Sequence, residues 1–109
     1  LVDESVLKAL GKSGTLINVS RGSVVDETAL IKALQTGTLG FAGLDVFEAE
    51  PIVPNELKSM GNVVLTPHIG SATIQTRQAM GDLTCDNLLS YIKSGKVFTP
   101  VPECSKLNV

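Results

Sequence analysis

Residues 15–47 read TLINVSRGSVVDETALIKALQTGTLGFAGLDVF, and the order of patterns within them decides the fold. Thr15 to Val19 form a compact aliphatic run, short enough for a buried strand. Asp26 stands where a helix N-cap belongs. After it, Val25, Ala29, Leu30, Ala33 and Leu34 fall on one apolar stripe, and Gly37 supplies the stop. Gly40 to Phe47 read as a second strand, whose glycines allow a close neighbour. A strand, a helical crossover and a strand imply parallel pairing.

Working outward, Asp3 is placed to cap a short helix with Val6, Leu7 and Leu10 apolar and Gly11 as its stop. Downstream, Pro51 and Pro54 mark a turn-rich stretch with at most a short helix around Glu56 to Met60. NVVLT (62–66) reads as a third strand. From Thr73 to Lys93 a long helix is predicted, with Ala79, Met80, Leu83, Leu88 and Ile92 as its packing side and Gly95 as its end. VFTPVPECSKLNV (97–109) reads as an extended, proline-marked tail. The strands are nearly continuous apolar runs, which predicts helices on both faces of the sheet. The expected class is α/β, a partial doubly wound parallel sheet.

Composition narrows the function. A chain of 109 residues is one domain's worth at most, and 43% of it is hydrophobic against 18% charged. A net charge of −2 offers no basic surface for nucleic acid. No apolar run is long enough to span a bilayer. Cys85 and Cys104 lack metal-like spacing and read as free thiols in a reducing compartment, with the cytoplasm as the expected location. The chain opens at Leu1 rather than Met, and is expected to be a piece of something longer.

Ligands of parallel sheets bind at the carboxyl ends of the strands. Here the first strand ends in Ser20-Arg21-Gly22, the second in Asp45 with Glu50 five residues on, and the third in Pro67-His68, with the only histidine in the chain. Singly, each has an ordinary reading: Arg21 a solvated loop cation, Asp45 a turn former, Glu50 a surface charge, His68 a structural histidine. Together they converge on one rim. A guanidinium holds a carboxylate through paired hydrogen bonds. A histidine oriented by a carboxylate suits general acid chemistry near neutral pH. Ser20 and Ser71 lack a nucleophile elbow, and no cluster offers a metal site. The set points to chemistry on a small oxo- or hydroxy-acid.

These residues sit in LINVSRGSVVDETALIKAL, GLDVFEAEP and NVVLTPHIGSAT, which in order and spacing resemble the C-terminal signature of the NAD(P)-dependent D-2-hydroxyacid dehydrogenases. The resemblance runs from about Leu1 to Pro100. With Thr76-Arg77, Met80, Asn87, Leu88 and Leu89 it is most similar to the glyoxylate reductase/hydroxypyruvate reductase branch. It implies a Rossmann-like nucleotide-binding domain and reduction of a 2-keto acid by NAD(P)H, with NADP favoured for that branch. It also implies a homodimer. By the same resemblance Arg21 binds the substrate's carboxylate and keto oxygen, His68 donates the proton, and Glu50 hydrogen-bonds His68 and favours its protonated form. Asp45 would hold the nicotinamide carboxamide. Val19, Ser20 and Gly70 would lie against nicotinamide and substrate, with His68 and Ser71 also at the substrate.

The resemblance further implies that residues 1–93 are the C-terminal part of the NAD(P)-binding domain and 94–109 a tail returning toward the substrate domain. The family's glycine-rich GxGxxG turn is not in these residues, so the 109-residue piece alone is expected to be inactive. Two other readings remain: a nucleotide-sensing corepressor on the same fold, and a short structural or binding module.

Overall fold

The structure, a computed structural model, describes residues 1–107. It divides into two compact units, Leu1–Gly70 and a second beginning at Ser71. The first holds α1 (Glu4–Leu10), β1 (Thr15–Asn18), α2 (Glu27–Gln35), β2 (Phe41–Leu44), α3 (Asn55–Lys58) and β3 (Val63–Leu65). The second holds α4 (Ile74–Ser94) and a 3-10 turn at Pro102–Leu107.

The three strands form one parallel sheet in the order β1-β2-β3. Register aligns Asn18 with Leu44, and Leu44 with Leu65, so all three strands end level. Successive side chains alternate between faces. Leu16, Ala42, Leu44, Val63 and Leu65 turn toward a core built with Leu7 of α1, Leu30, Ala33 and Leu34 of α2, and Leu57 of α3. Full burial of each such leucine stabilises the fold by about 1.5–3 kcal/mol.

The helices start where the sequence puts them. The Asp3 carboxylate accepts from the N–H groups of Ser5 and Val6, and Asp26 accepts from that of Ala29. Each satisfies donors that a first turn leaves open. Gly37 and Gly95, with φ of 71° and 72°, occupy the left-handed conformation that closes α2 and α4.

Four expectations are corrected. The second strand stops at Leu44 rather than Phe47, because Asp45 turns its side chain to the next loop; Val46 and Phe47 stay buried without being strand. Among the described residues of the first unit, helices cover one face of the sheet only: Ile17, Phe41 and Val64, on the other, are more than half exposed. α4 runs as predicted, yet none of its residues is buried, and Met80, Leu83, Leu88 and Ile92 are exposed. Its unit contains too little besides the helix to cover an apolar side. The tail is not extended throughout, since Pro102–Leu107 forms a 3-10 turn that opens on a proline, where no N–H is needed.

Within the second unit Asn87 fastens the tail to α4. Its Oδ1 accepts from the N–H groups of Phe98 and Thr99, and its Nδ2 donates to Leu83 O and Thr99 Oγ1. Cys85 and Cys104 are free and exposed. Among the described residues no helix is long and apolar enough to cross a membrane.

Candidate active site

The level strand ends start three loops at one rim. β1 closes on Asn18, a buried residue whose side chain bends the chain that follows. Its Oδ1 accepts from Ser20 N at 3.1 Å and Ser20 Oγ at 3.0 Å, and its Nδ2 donates to Arg21 O at 2.9 Å. Val19, Ser20 and Arg21 are left exposed. The Arg21 guanidinium folds back so that Nη1 donates to Ser20 O at 2.6 Å, one of its five N–H groups. Gly22 is buried, and a Cβ there would overlap the backbone of Phe47 and Glu48. The loops after β1 and β2 therefore touch backbone to backbone at Gly22. Glu27 of α2 adds a tie, its carboxylate accepting from Glu48 N at 3.2 Å.

Asp45 follows β2 and is 4% exposed. Its Oδ1 accepts from Thr66 Oγ1 at 2.6 Å and Ile69 N at 2.8 Å, and its Oδ2 accepts from Gly70 N at 2.8 Å. These bonds, led by the one from Thr66, hold the Asp45 carboxyl below its ordinary value. They also grip the chain on both sides of His68, whose φ is 56°. A left-handed conformation costs a non-glycine residue roughly 1–2 kcal/mol, and the three bonds from Asp45 offset it. Pro67 before the histidine and Gly70 after it complete the turn.

Glu50 reaches across from the β2 loop. Its Oε2 lies 2.8 Å from His68 Nδ1, and its Oε1 accepts from Phe47 N at 3.0 Å. The hydrogen bond with His68 is the main cause of a lowered Glu50 carboxyl; the Phe47 N–H and the nearby Arg21 charge add to it. The peptide bond joining Glu50 to Pro51 is cis. Asp45, Phe47, Glu50, Pro51, Thr66 and His68 are among the residues lining an open cavity of about 330 Å³ beside this pair. The His68 side chain is 47% exposed.

Of the residues singled out from sequence, Glu50 and His68 thus meet directly, Asp45 holds the chain on either side of His68, and Arg21 stands close enough to act on Glu50 by charge. Val19 lies near Gly70: a Cβ on Gly70 would sit 3.2 Å from Asp45 Oδ2 and 3.9 Å from Val19 Cβ. Ser20 is bound to Asn18. Ser71 falls in the second unit. Sequence reasoning missed Asn18, Gly22 and Thr66. Polar residues at the ends of two apolar runs, Asn18 in TLINV and Thr66 in NVVLT, were the signal available.

Comparison with known proteins bears on the family and the fold. Residues 1–70 match the family model of the D-isomer specific 2-hydroxyacid dehydrogenase NAD binding domain. The glyoxylate/hydroxypyruvate reductase A of Arabidopsis thaliana is 54% identical over 101 residues, covering 93% of this chain and 32% of the relative. The glyoxylate reductase of Pyrococcus furiosus is 50% identical over 97 residues, 89% of this chain and 29% of the relative. Among solved structures, the NADPH-dependent glyoxylate/hydroxypyruvate reductase of Sinorhizobium meliloti, in complex with NADP and malonate, superimposes with a TM-score of 0.91. It is 57% identical and covers 94% of this chain and 32% of that one. The chain spans about a third of the length of these relatives. It belongs to the D-isomer-specific 2-hydroxyacid dehydrogenase family, and its fold is that of the family's Rossmann-type NAD-binding domain.

Proposed function

We propose that the whole protein reduces a small 2-keto acid to the 2-hydroxy acid with NAD(P)H, with glyoxylate and hydroxypyruvate as the favoured substrates. The observation that carries this reading is the 2.8 Å pairing of Glu50 with His68 beside an open cavity. The names of the relatives, glyoxylate and hydroxypyruvate reductases, support the choice of acid.

The roles follow from the donors and acceptors. An ionised Glu50 accepts from Nδ1–H, which leaves Nε2 as the ring nitrogen available to a substrate oxygen. The imidazolium form of His68 donates its Nε2 proton to the keto oxygen as negative charge develops there. The neutral ring that remains keeps its proton on Nδ1, against Glu50. Arg21, with four N–H groups uncommitted among the described residues, holds the substrate's carboxylate and polarises the carbonyl. A solved relative in complex with malonate is consistent with a site for small carboxylates.

The residues also fit the nicotinamide end of the cofactor. Asp45 uses three of about four acceptor positions, so one on Oδ2 is left for a carboxamide N–H. Gly70 leaves open the space beside it that a side chain would fill. When bound, the reduced nicotinamide supplies the hydride delivered to C2 of the acid. Val19, Ser20 and Gly70 form the backbone against which ring and substrate lie, and Ser71 is assigned to the substrate. NADP is the favoured form, as in the NADPH-dependent relative. We assign residues 1–93 to the nucleotide-binding domain and 94–109 to a tail toward the substrate domain, in a homodimer. The free, exposed Cys85 and Cys104 support a reducing compartment such as the cytoplasm.

The test is steady-state turnover by the whole protein with glyoxylate, hydroxypyruvate and pyruvate, each with NADH and NADPH. Reduction of at least one acid is expected, fastest with glyoxylate or hydroxypyruvate and NADPH. No turnover in any combination, with retained nucleotide binding, would favour a nucleotide-sensing role instead.

A further inference from the structure

We infer that Asn18 is the positioning residue of Arg21: its buried amide shapes the turn that presents the guanidinium to the substrate's carboxylate. The identity of the acid rests on the proposed function; the mechanical link between Asn18 and Arg21 does not.

Among the described residues the buried polar side chains are Asn18, 6% exposed, and Asp45, 4% exposed. A buried amide is costly unless its hydrogen bonds are made. A residue serving only the core at the end of an apolar strand needs no amide at all. Asn18 makes three side-chain hydrogen bonds, and all go to the turn: from Ser20 N, from Ser20 Oγ and to Arg21 O. None goes to the sheet or the helices.

The bonds fall on the peptide units that orient Arg21. Its carbonyl accepts both from Asn18 Nδ2 at 2.9 Å and from Val24 N at 3.2 Å. Its guanidinium is in turn indexed to the preceding peptide, through the 2.6 Å bond from Nη1 to Ser20 O. A rotation of the Ser20–Arg21 peptide therefore carries the charged head with it. Asn18 holds the peptide units on either side of that one, through Ser20 N and Arg21 O, and so limits its rotation.

Asp45 is the counterpart on the next loop, spending its three bonds on Thr66, Ile69 and Gly70 around His68. The two are joined directly, since Asp45 N donates to Asn18 O at 3.0 Å. Two buried polar side chains, side by side at the strand ends, thus set the two loops that bear the acid-binding cation and the proton donor.

The test uses Asn18→Asp in the whole protein. This variant keeps the side chain's shape and the acceptors facing Ser20 but removes the N–H given to Arg21 O. Oxalate serves as a carboxylate probe that requires no turnover. The KM for the keto acid and the oxalate dissociation constant are expected to rise about tenfold or more. Turnover at saturating acid should fall as well, because Arg21 also polarises the carbonyl, while NADPH affinity stays unchanged. In an Arg21→Ala background, Asn18→Asp should add nothing to the loss of oxalate binding. Unchanged KM and oxalate affinity would overturn the inference, as would an effect of full size without Arg21. If Asn18→Asp does not fold, Ser20→Ala decides, because it removes one of the three bonds at an exposed residue. A rise of about two- to threefold in the oxalate constant supports the link, and no rise refutes it. Should the wild type reduce no 2-keto acid, the proposed function fails, while oxalate calorimetry still reads the Asn18–Arg21 coupling by the same criteria. A wild type that binds no oxalate refutes both.

Discussion

Glu50 and His68 stand 18 residues apart in the chain and meet at 2.8 Å, Oε2 to Nδ1, across the gap between the loops after β2 and β3. Both carboxylate oxygens are committed, one to the imidazole and one to the N–H of Phe47. Glu50→Gln leaves one oxygen for two donors, so an amide NH2 must face either Nδ1 or the Phe47 N–H. Turnover is expected to fall roughly 10²-fold or more, because an amide nitrogen opposite Nδ1 selects the wrong tautomer. Steady-state kinetics at neutral pH measure it.

The pH dependence of stability follows from the same bonds. Glu50 and Asp45 both have carboxyls lowered from ordinary values of 4.5 and 3.8 by hydrogen bonds formed on folding. Their stabilising contribution is complete above those values and is lost as the pH falls through the lowered ones. The melting temperatures of Asp45→Asn and Glu50→Gln should lie below wild type at neutral pH. The gap should narrow as the pH drops below 4.5 for Glu50 and below 3.8 for Asp45. A gap that widens toward acid would contradict the assignment.

Gly22 carries a packing prediction. A methyl group there overlaps the backbone of Phe47 and Glu48, and backbone cannot yield as a flexible side chain can. Gly22→Ala should cost about 1–3 kcal/mol of stability, read by denaturant unfolding. It should also raise KM, because the loops bearing Arg21 and Glu50 are forced apart. Wild-type stability would show that the loops are not in contact.

The residues to which we assign the chemistry were more legible than those that hold them. Arg21, Glu50 and His68 stood out because ionisable groups following aliphatic runs are conspicuous, and the level ends of a parallel sheet bring such groups together. Asn18 and Thr66 were not legible, since a polar residue at a strand end acquires meaning only once the register puts it opposite a particular loop. The end of β2 was misjudged for a related reason. Val46 and Phe47 are as apolar as strand residues, but their burial comes from the packing of a loop. In α4 the helix was legible from its apolar periodicity and its stop at Gly95, while its packing side was not, because periodicity marks an apolar face and says nothing of what covers it.

A polypeptide of these 109 residues alone should reduce no glyoxylate with either cofactor, because its sequence contains no glycine-rich turn for a pyrophosphate. Absorbance of the reduced nicotinamide at high enzyme concentration checks this. Measurable turnover would mean that the nicotinamide-end residues suffice for binding.

The role of His68 as proton donor is tested most directly by His68→Gln in the whole protein. Glutamine keeps a polar side chain of similar reach but cannot act as the acid. The turnover number with glyoxylate is expected to fall by about 10²–10⁴-fold, with a melting temperature and NADPH affinity close to wild type. Turnover within a few-fold of wild type, or a loss of activity matched by a loss of stability, would contradict that role and return His68 to a structural one.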